Sequence, residues 1–555
     1  MMRLFLLTAG AVLCTTGAAR AQQAMPQLPS TPQGQDGGQG PQQVRRVISP
    51  HIEVGQILTA DLQNGDVLTY TTVGAGVDVA IQTRRVQVQL NYQYQHAFSY
   101  DRNVGDQDIH SGLARAAVTL APGLSLEGGA LATRARSDNR GADPVLLTPN
   151  AANVSQVYSA YIQPTLAKRV GPAYVNALYR FGYTKVESPS YSGVSANQPV
   201  LDNYDDSTSH LLMGSVGFPS GSVLPVGVTW SGAYQLENAG QLDQRYEGLY
   251  LREDLVLPVS RTVAALGGIG YEHIKITQRD ALLDTNGNPV LDGNGRYVTD
   301  PASPRRIAYD TKTPVFWDVG VLWRPSPRTT LEARVGRRYD SWSYTGSFSH
   351  QIGPGSGLQI GVYDSMQSFG RQLNGALSSL PTSYSTTDDP LNDNYNGCVF
   401  GTQGNTPGGC LTGVLQSIAT ANYRARGVDA VIAFNRGLNR VGAGVGYTNR
   451  RFYAPDSGTG FSIDGTTDEG YYGQVFAAHA LTAESSVNAN AYINYFRSGI
   501  VGANGVLGAG ATGSYNRSFG RLGASVSAGI YAFDQKDSNL DDVTAQALLA
   551  LGYRF

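Results

Sequence analysis

Cysteine, charge and long apolar runs are all scarce in this chain. Three cysteines in 555 residues cannot build a disulfide framework. Charged side chains make up 15% of the sequence, and 41 Lys and Arg stand against 43 Asp and Glu, a net of −2. That balance implies neither a nucleic-acid partner nor adhesion to an anionic membrane surface. Beyond the first residues no uninterrupted apolar run reaches the length of a membrane-crossing helix. The seven histidines, at 51, 96, 110, 210, 273, 350 and 479, show no metal-ligand spacing, and neither an HExxH nor a GxSxG motif occurs. No metal, no cofactor and no enzymatic activity are therefore expected. What is abundant is Gly, 67 residues, and Tyr, 32, in a chain only 41% hydrophobic and without α/β alternation. Such a composition fits a sheet wetted on one side and greasy on the other better than one large soluble core.

Residues 1–21 read as a secretory signal: Arg3, an apolar stretch from Leu4 to Leu13, and the small-residue site Ala19-Arg20-Ala21. Cys14 does not make a lipoprotein signal, because Leu13 fills a position that needs a small residue. Residues 22–50, rich in Gln, Gly and Pro, read as a disordered leader. Cys398 and Cys410 then remain as the exported pair, and their closeness predicts a disulfide that shapes a local loop.

From residue 51 to 555 the chain repeats a two-residue period. In one strand Val86, Val88, Leu90, Tyr92 and Tyr94 alternate with Gln87, Gln89, Asn91, Gln93 and Gln95, so one face is apolar and the other amide-lined. Val175, Ala177, Tyr179, Phe181 and Tyr183 oppose Asn176 and Arg180 in the same way. About 22 such segments, with a range of 18 to 24, are joined alternately by short turns and by longer polar loops. The short joints include 82–84, 121–123, 435–437, 482–484 and 519–521; the longer ones surround 136–153, 187–206, 277–314, 366–421 and 454–468. The expected fold is all-β, an antiparallel transmembrane barrel with short periplasmic turns, long extracellular loops and both termini in the periplasm.

The last segment places Ala547, Leu549, Leu551, Tyr553 and Phe555 on one face. It resembles the closing strand of Gram-negative outer-membrane barrels, whose final Phe is read by the barrel assembly machinery. The resemblance implies outer-membrane lipid and that machinery as partners. The whole layout, together with this strand and the run from Tyr423 to Asp429, resembles the β-barrel porin proteins of proteobacteria, some encoded beside exopolysaccharide systems. That resemblance implies a channel for hydrophilic solutes, with saccharide or exopolysaccharide export as the favoured class and polysaccharide-export components as partners. A general or nutrient-uptake porin and a non-conducting structural or adhesive surface barrel are the alternatives. TonB-dependent transporters, also of 22 strands, carry a folded plug of more than a hundred residues ahead of the barrel, for which residues 22–50 leave no room.

Charge on a lipid-facing strand costs about 2–4 kcal/mol at the midplane for Arg or Lys, so strand charges should face the lumen. The expected pore-lining set is Gln87, Gln89, Asn91, Gln93, Arg180, Asp318, Arg324, Glu332, Arg334, Arg338, Arg424, Arg426 and Asp429. Within 366–421, Phe369, Leu373, Leu377 and Leu380 recur at helical spacing before Pro381, as Leu411, Leu415 and Ile418 do after Cys410. This segment is expected to fold into or over the pore and narrow it; an external cap with structural helices would show the same spacing. Gly508-x-Gly510-x-x-Gly513 matches a dinucleotide fingerprint as a string, but lacks the strand-turn-helix context. The tandem beginning at Asp284 and Asp292 reads as two tight turns rather than a calcium loop, since no closing Glu follows.

Overall fold

The computed structural model describes residues 45–63, 65–100, 105–138, 140, 153–188, 201–385, 391, 397–402, 407–416, 418–455, 462–535 and 542–555. The expected signal peptide and most of the expected leader lie outside them. Each long strand pairs antiparallel with its neighbour in the chain, and the first, Arg45–Asp61, pairs with the last, Asp542–Arg554, which closes the sheet into a ring. The ring has 22 strands; a short extra strand, Arg306–Asp310, extends the pairing of Val263–Gln278 at one rim. The first strand begins at Arg45 rather than residue 51, because its register with Val67–Gln82 continues through Pro50. Closure leaves no edge strand in the ring, the condition under which strands can cross a lipid layer.

Alternation decides the two faces. In the last strand Leu549, Leu551 and Tyr553 are exposed on the outside, whereas Leu548, Ala550 and Gln546 are buried inside. The same outward apolar stripe recurs in Trp317, Val319, Val321 and Trp323, and in Leu249, Leu251, Leu255 and Leu257. Tyr447, Tyr471 and Tyr495 form an outward ladder of rings, with centroids 4.8 and 6.2 Å apart. Gly510 stands in a strand, Val506–Phe519, where a Cβ would run into the Tyr531 and Tyr492 rings; its role is to admit them.

Phe555 and the start of Arg45–Asp61 lie at one rim, called here the termini rim; the opposite one is the loop rim. Tight turns at the termini rim use Gly437 and Gly520, whose φ of 59° and 66° suits glycine. Not every connection at the loop rim is long. Arg338 and Ser341 are joined by a two-residue hairpin in which Tyr339 and Asp340 both take positive φ, a turn type the sequence does not advertise without Gly or Asn at its first position. The tandem of residues 284–298 forms two matching turns: Asp284 accepts from the backbone N–H of Asn286 and Asn288, and Asp292 from those of Asn294 and Arg296.

Candidate functional site

The connection between Ser356–Gln367 and Asn422–Arg436 does not stay at the loop rim. It holds helix α1 (Phe369–Ser379), the short helix α2 (Thr412–Leu415) and a three-stranded sheet of Tyr384–Ser385, Cys398–Gly401 and Gly408–Cys410. Ser368 starts α1, its hydroxyl accepting from the Arg371 N–H at 3.2 Å, and Pro381 ends the run. Phe369, Leu373 and Leu377, four residues apart, present one apolar face. That face packs with Leu411, Val414, Leu415 and Ile418, and with Leu113, Leu131, Val157, Tyr161 and Val186 on the inside of the barrel wall. Phe369, Leu373, Leu377 and Leu411 are fully buried and Leu415 nearly so. Burial of each large side chain contributes about 1.5–3 kcal/mol. The described part of the segment therefore occupies the lumen; it is not a cap above it.

Polar contacts seat α1 at both ends. Glu237, on the inner face of Gly227–Ala239, accepts from the Ser368 hydroxyl at 2.6 Å and from Arg371 Nε at 2.9 Å. Arg371 also donates to Asn422 Oδ1 and lies over the Tyr246 ring. Asn374 donates to Thr184 Oγ1, and the Tyr423 hydroxyl donates to Gln372. At the other end Arg115 donates to the Ser378 carbonyl, a cation placed where the helix dipole favours it. Both Glu237 and Arg371 are missing from the sequence-based set. Glu237 sits at an inner-face position of its strand, but its partner comes from a distant loop.

The small sheet carries the segment down the lumen. Gln89 Nε2 donates to the Tyr384 carbonyl at 2.7 Å, and the Tyr384 N–H donates back to Gln89 Oε1 at 2.9 Å. Cys398 and Cys410 are disulfide-bonded and rest on Gly444, where a Cβ would strike both sulfurs. Phe400 stacks on Phe476, centroids 4.5 Å apart. Asn435 Nδ2 donates to both the Gly401 and Gly355 carbonyls, and Gly355 belongs to a turn at the termini rim. Leu391, fully buried, packs among Ile57, Tyr70, Ile109, Tyr531 and Leu548. The segment thus touches walls on opposite sides of the ring and spans most of its height.

The return path is clamped at the loop rim. Ala419 bridges Asn203, the Tyr204 N–H donates to the Ile418 carbonyl at 2.9 Å, and the Thr420 N–H donates to the Asp202 carbonyl at 3.2 Å. Asp202 Oδ1 accepts from Gln241 at 2.6 Å and from the Tyr297 N–H at 2.9 Å. Burial pushes the Asp202 carboxyl up to about 7, against the opposing pull of those hydrogen bonds and of Arg296.

A charged lattice lies on the wall facing this plug. Arg252 pairs with Asp254 and Asp318 at 2.8 and 2.6 Å, and Arg334 with Asp254, Asp318 and Glu332 at 2.9, 2.9 and 2.7 Å. Each member is partly accessible. Nearer the loop rim, Arg338 and Glu272 form a buried pair, with Arg338 over the Phe316 ring. Arg252, Asp254 and Glu272 were not in the sequence-based set either. Arg180 donates to Gln163 at 2.7 Å, and Asn91 donates to Asp78. By strand parity Gln87, Gln93 and Arg324 share the inner face with these groups, Gln87 exposed at the termini rim. Asp429 also faces inward and accepts from the Tyr472 hydroxyl at 2.6 Å. Arg424 and Arg426 correct the expectation: an odd offset from Asp429 puts them on the opposite, outward face. They stand at the loop rim, where Arg424 pairs with Asp364 at 2.6 Å.

Fold and site together define a closed 22-stranded β-barrel with part of one internal loop packed through its lumen. No family model matches the chain, and no curated protein matches it. Among solved structures it is similar to the FrpB iron transporter from Neisseria meningitidis, with TM-score 0.39 and 11% identity over 91% of this chain and 82% of that one. It is also similar to the open form of the ferric-catecholate import receptor Fiu from E. coli K12, with TM-score 0.40 and 12% identity over 91% and 81%. A third is the siderophore receptor PirA from Acinetobacter baumannii, with TM-score 0.34 and 11% identity over 92% and 81%. At TM-scores below 0.5 these assign neither family nor cargo to this chain.

Proposed function

We propose that the protein is an outer-membrane conduit for hydrophilic solutes that rests closed, with the described part of residues 368–421 as its plug. The observation that carries this reading is the placement of α1 and the cysteine sheet inside a barrel whose outer face is apolar. An apolar outer band and a polar interior suit a lipid environment around a wet lumen. A plug held by an ion pair, side-chain hydrogen bonds and van der Waals packing, with no strand of its own in the ring, is suited to movement. A permanently open porin fits the packed lumen less well.

Saccharides remain the favoured cargo, in the direction of export and with polysaccharide-export components as partners. Behind this stands the amide-rich inner wall, with Asn488 and Asn490 beside Gln474, and Asn91 and Gln93 six strands further round the ring. Amides hydrogen-bond hydroxyls without demanding charge. Short turns and both termini are assigned to the periplasmic side, and no catalytic step is assigned.

Deletion of residues 369–420, rejoined by a short glycine linker, tests the plug. In planar bilayers the intact protein is expected to conduct rarely and the deletion variant steadily, with neutral sugars passing the latter in liposome-swelling assays. A deletion barrel that inserts and never conducts would leave the adhesive reading standing; equal conductance of both proteins would refute the plug.

A further inference from the structure

The outer wall carries a second feature, and its interpretation rests on the membrane reading above. The strands from Val315–Ser326 to Ser356–Gln367 leave an outward cavity of about 950 Å3 lined by Val319, Val321, Ala333, Val335 and Phe348 among others. On the same outer face Val362, another lining residue, is paired with Val428. Two residues further toward the loop rim, about 7 Å along the strand, Asp364 is opposite Arg426, and two residues beyond that Arg424 is opposite Arg451.

Two exposed arginines, Arg426 and Arg451, therefore crown an apolar groove, beside the buried Arg424. Asp364 neutralises Arg424, while Arg426 lies farther from it, at 3.7 Å, and donates to Ser341 Oγ at 2.9 Å. Arg451 is exposed and leans over the Tyr453 ring. Among the described residues Asp364 is the only acid ion-paired with them, and the crown is net positive. Their depth is marked by the ring ladder: Tyr447 is opposite Val428, so Arg426 stands one outward position beyond the level of that ring. Interfacial aromatics mark the edge of the hydrocarbon layer, which puts these guanidiniums among lipid headgroups. The wall itself opens beneath them. Pairing between Ser341–Gly353 and Ser356–Gln367 ends at Gly346 and Val362, leaving a seam that runs from the groove toward the arginines.

We propose that this seam binds one acylated, phosphorylated lipid of the leaflet at the loop rim, with an acyl chain in the groove and a phosphate on Arg426 and Arg451. The apolar volume excludes a free anion as the intended occupant, and the positive crown selects against a neutral lipid. The site also has a mechanical position. Ser356–Gln367 leads into the plug and Asn422–Arg436 leads out of it, so the occupant would touch both strands from which the plug hangs.

The test uses the full-length barrel in dodecyl maltoside micelles, with bis-phosphorylated lipid A, its dephosphorylated form and inorganic phosphate as probes, read by native mass spectrometry. Wild type is expected to retain lipid A roughly tenfold to thirtyfold better than the dephosphorylated form, the effect of two arginines at a membrane surface. The Arg426→Ser/Arg451→Ser variant should fall to the dephosphorylated level. Ala333→Trp, which fills the groove and leaves the arginines, should lose lipid A as well. Equal retention by wild type and both variants overturns the proposal, as does displacement of lipid A by inorganic phosphate or occupation of the groove by a second copy of the chain. Failure to form a heat-modifiable barrel in micelles would sink the membrane reading instead.

Discussion

Glu237 and Arg371 hold the start of α1 by a buried ion pair, and buried pairs behave asymmetrically. Removal of one partner strands the other charge away from water and costs about 3–5 kcal/mol. Glu237→Gln is therefore expected to loosen the plug while leaving the ring intact, seen as more frequent openings in planar bilayers at unchanged heat-modifiable gel mobility; an unaltered opening rate would contradict the seating role. Asp202 adds a pH dependence. Its carboxyl, at about 7, is raised above the ordinary value near 4. The neutral form is the one the fold favours, so its contribution to the clamp is complete below about pH 4 and is lost as pH rises through about 7. Protease cleavage within 418–421 should quicken between about pH 4 and 7 in the wild type and level off above that, and Asp202→Asn should flatten that rise. A profile unchanged by the substitution would remove Asp202 from the clamp. The inner amides such as Gln89 were readable because a two-residue period assigns faces without knowledge of partners. Glu237 and Arg371 were not, because what makes them matter is a contact between positions 134 residues apart.

The helical spacing of Phe369, Leu373 and Leu377 announced α1, and the nearness of Cys398 to Cys410 announced their bond. Where these elements go was not legible. An apolar helix face needs some apolar surface, and the sequence pattern is the same whether that surface is a cap or the inside of a wall. The two arginines placed on the wrong face show a related limit: at the end of a strand, beyond the hydrocarbon layer, outward charge is no longer costly. The disulfide closes a short loop, for which chain entropy gives a contribution of about 3 kcal/mol. Cys398→Ser/Cys410→Ser is expected to release the small sheet from Gly444 and Phe476 without melting the barrel. Hydrogen exchange should rise at 398–401 and 408–410 while strand Asn439–Tyr453 keeps its protection. Simultaneous loss in both would mean that the sheet is part of the wall's stability.

At the scale of the whole molecule the strand count and ring closure followed from repetition, since twenty or so segments of one grammar leave few architectures open. The internal charge lattice of Arg252, Asp254, Asp318, Arg334 and Glu332 follows less directly. Its members come from three strands, and only their common inward parity is local. Two cations bound to three anions give the wall opposite the plug a slight negative excess, which a neutral or cationic solute tolerates and an anion does not.

The plug enters and leaves through two strands that are hydrogen-bonded to each other, and both of its ends are at the loop rim. A stopper tied in this way behaves like a cork on a string fastened outside the bottle. It cannot be drawn through toward the termini; it can only be lifted out the way it went in, and once lifted it would display Phe369, Leu373 and Leu377 to whatever lies beyond that rim. The agent that uncorks the barrel would then act from the far side of the membrane, or be the cargo pushing from within.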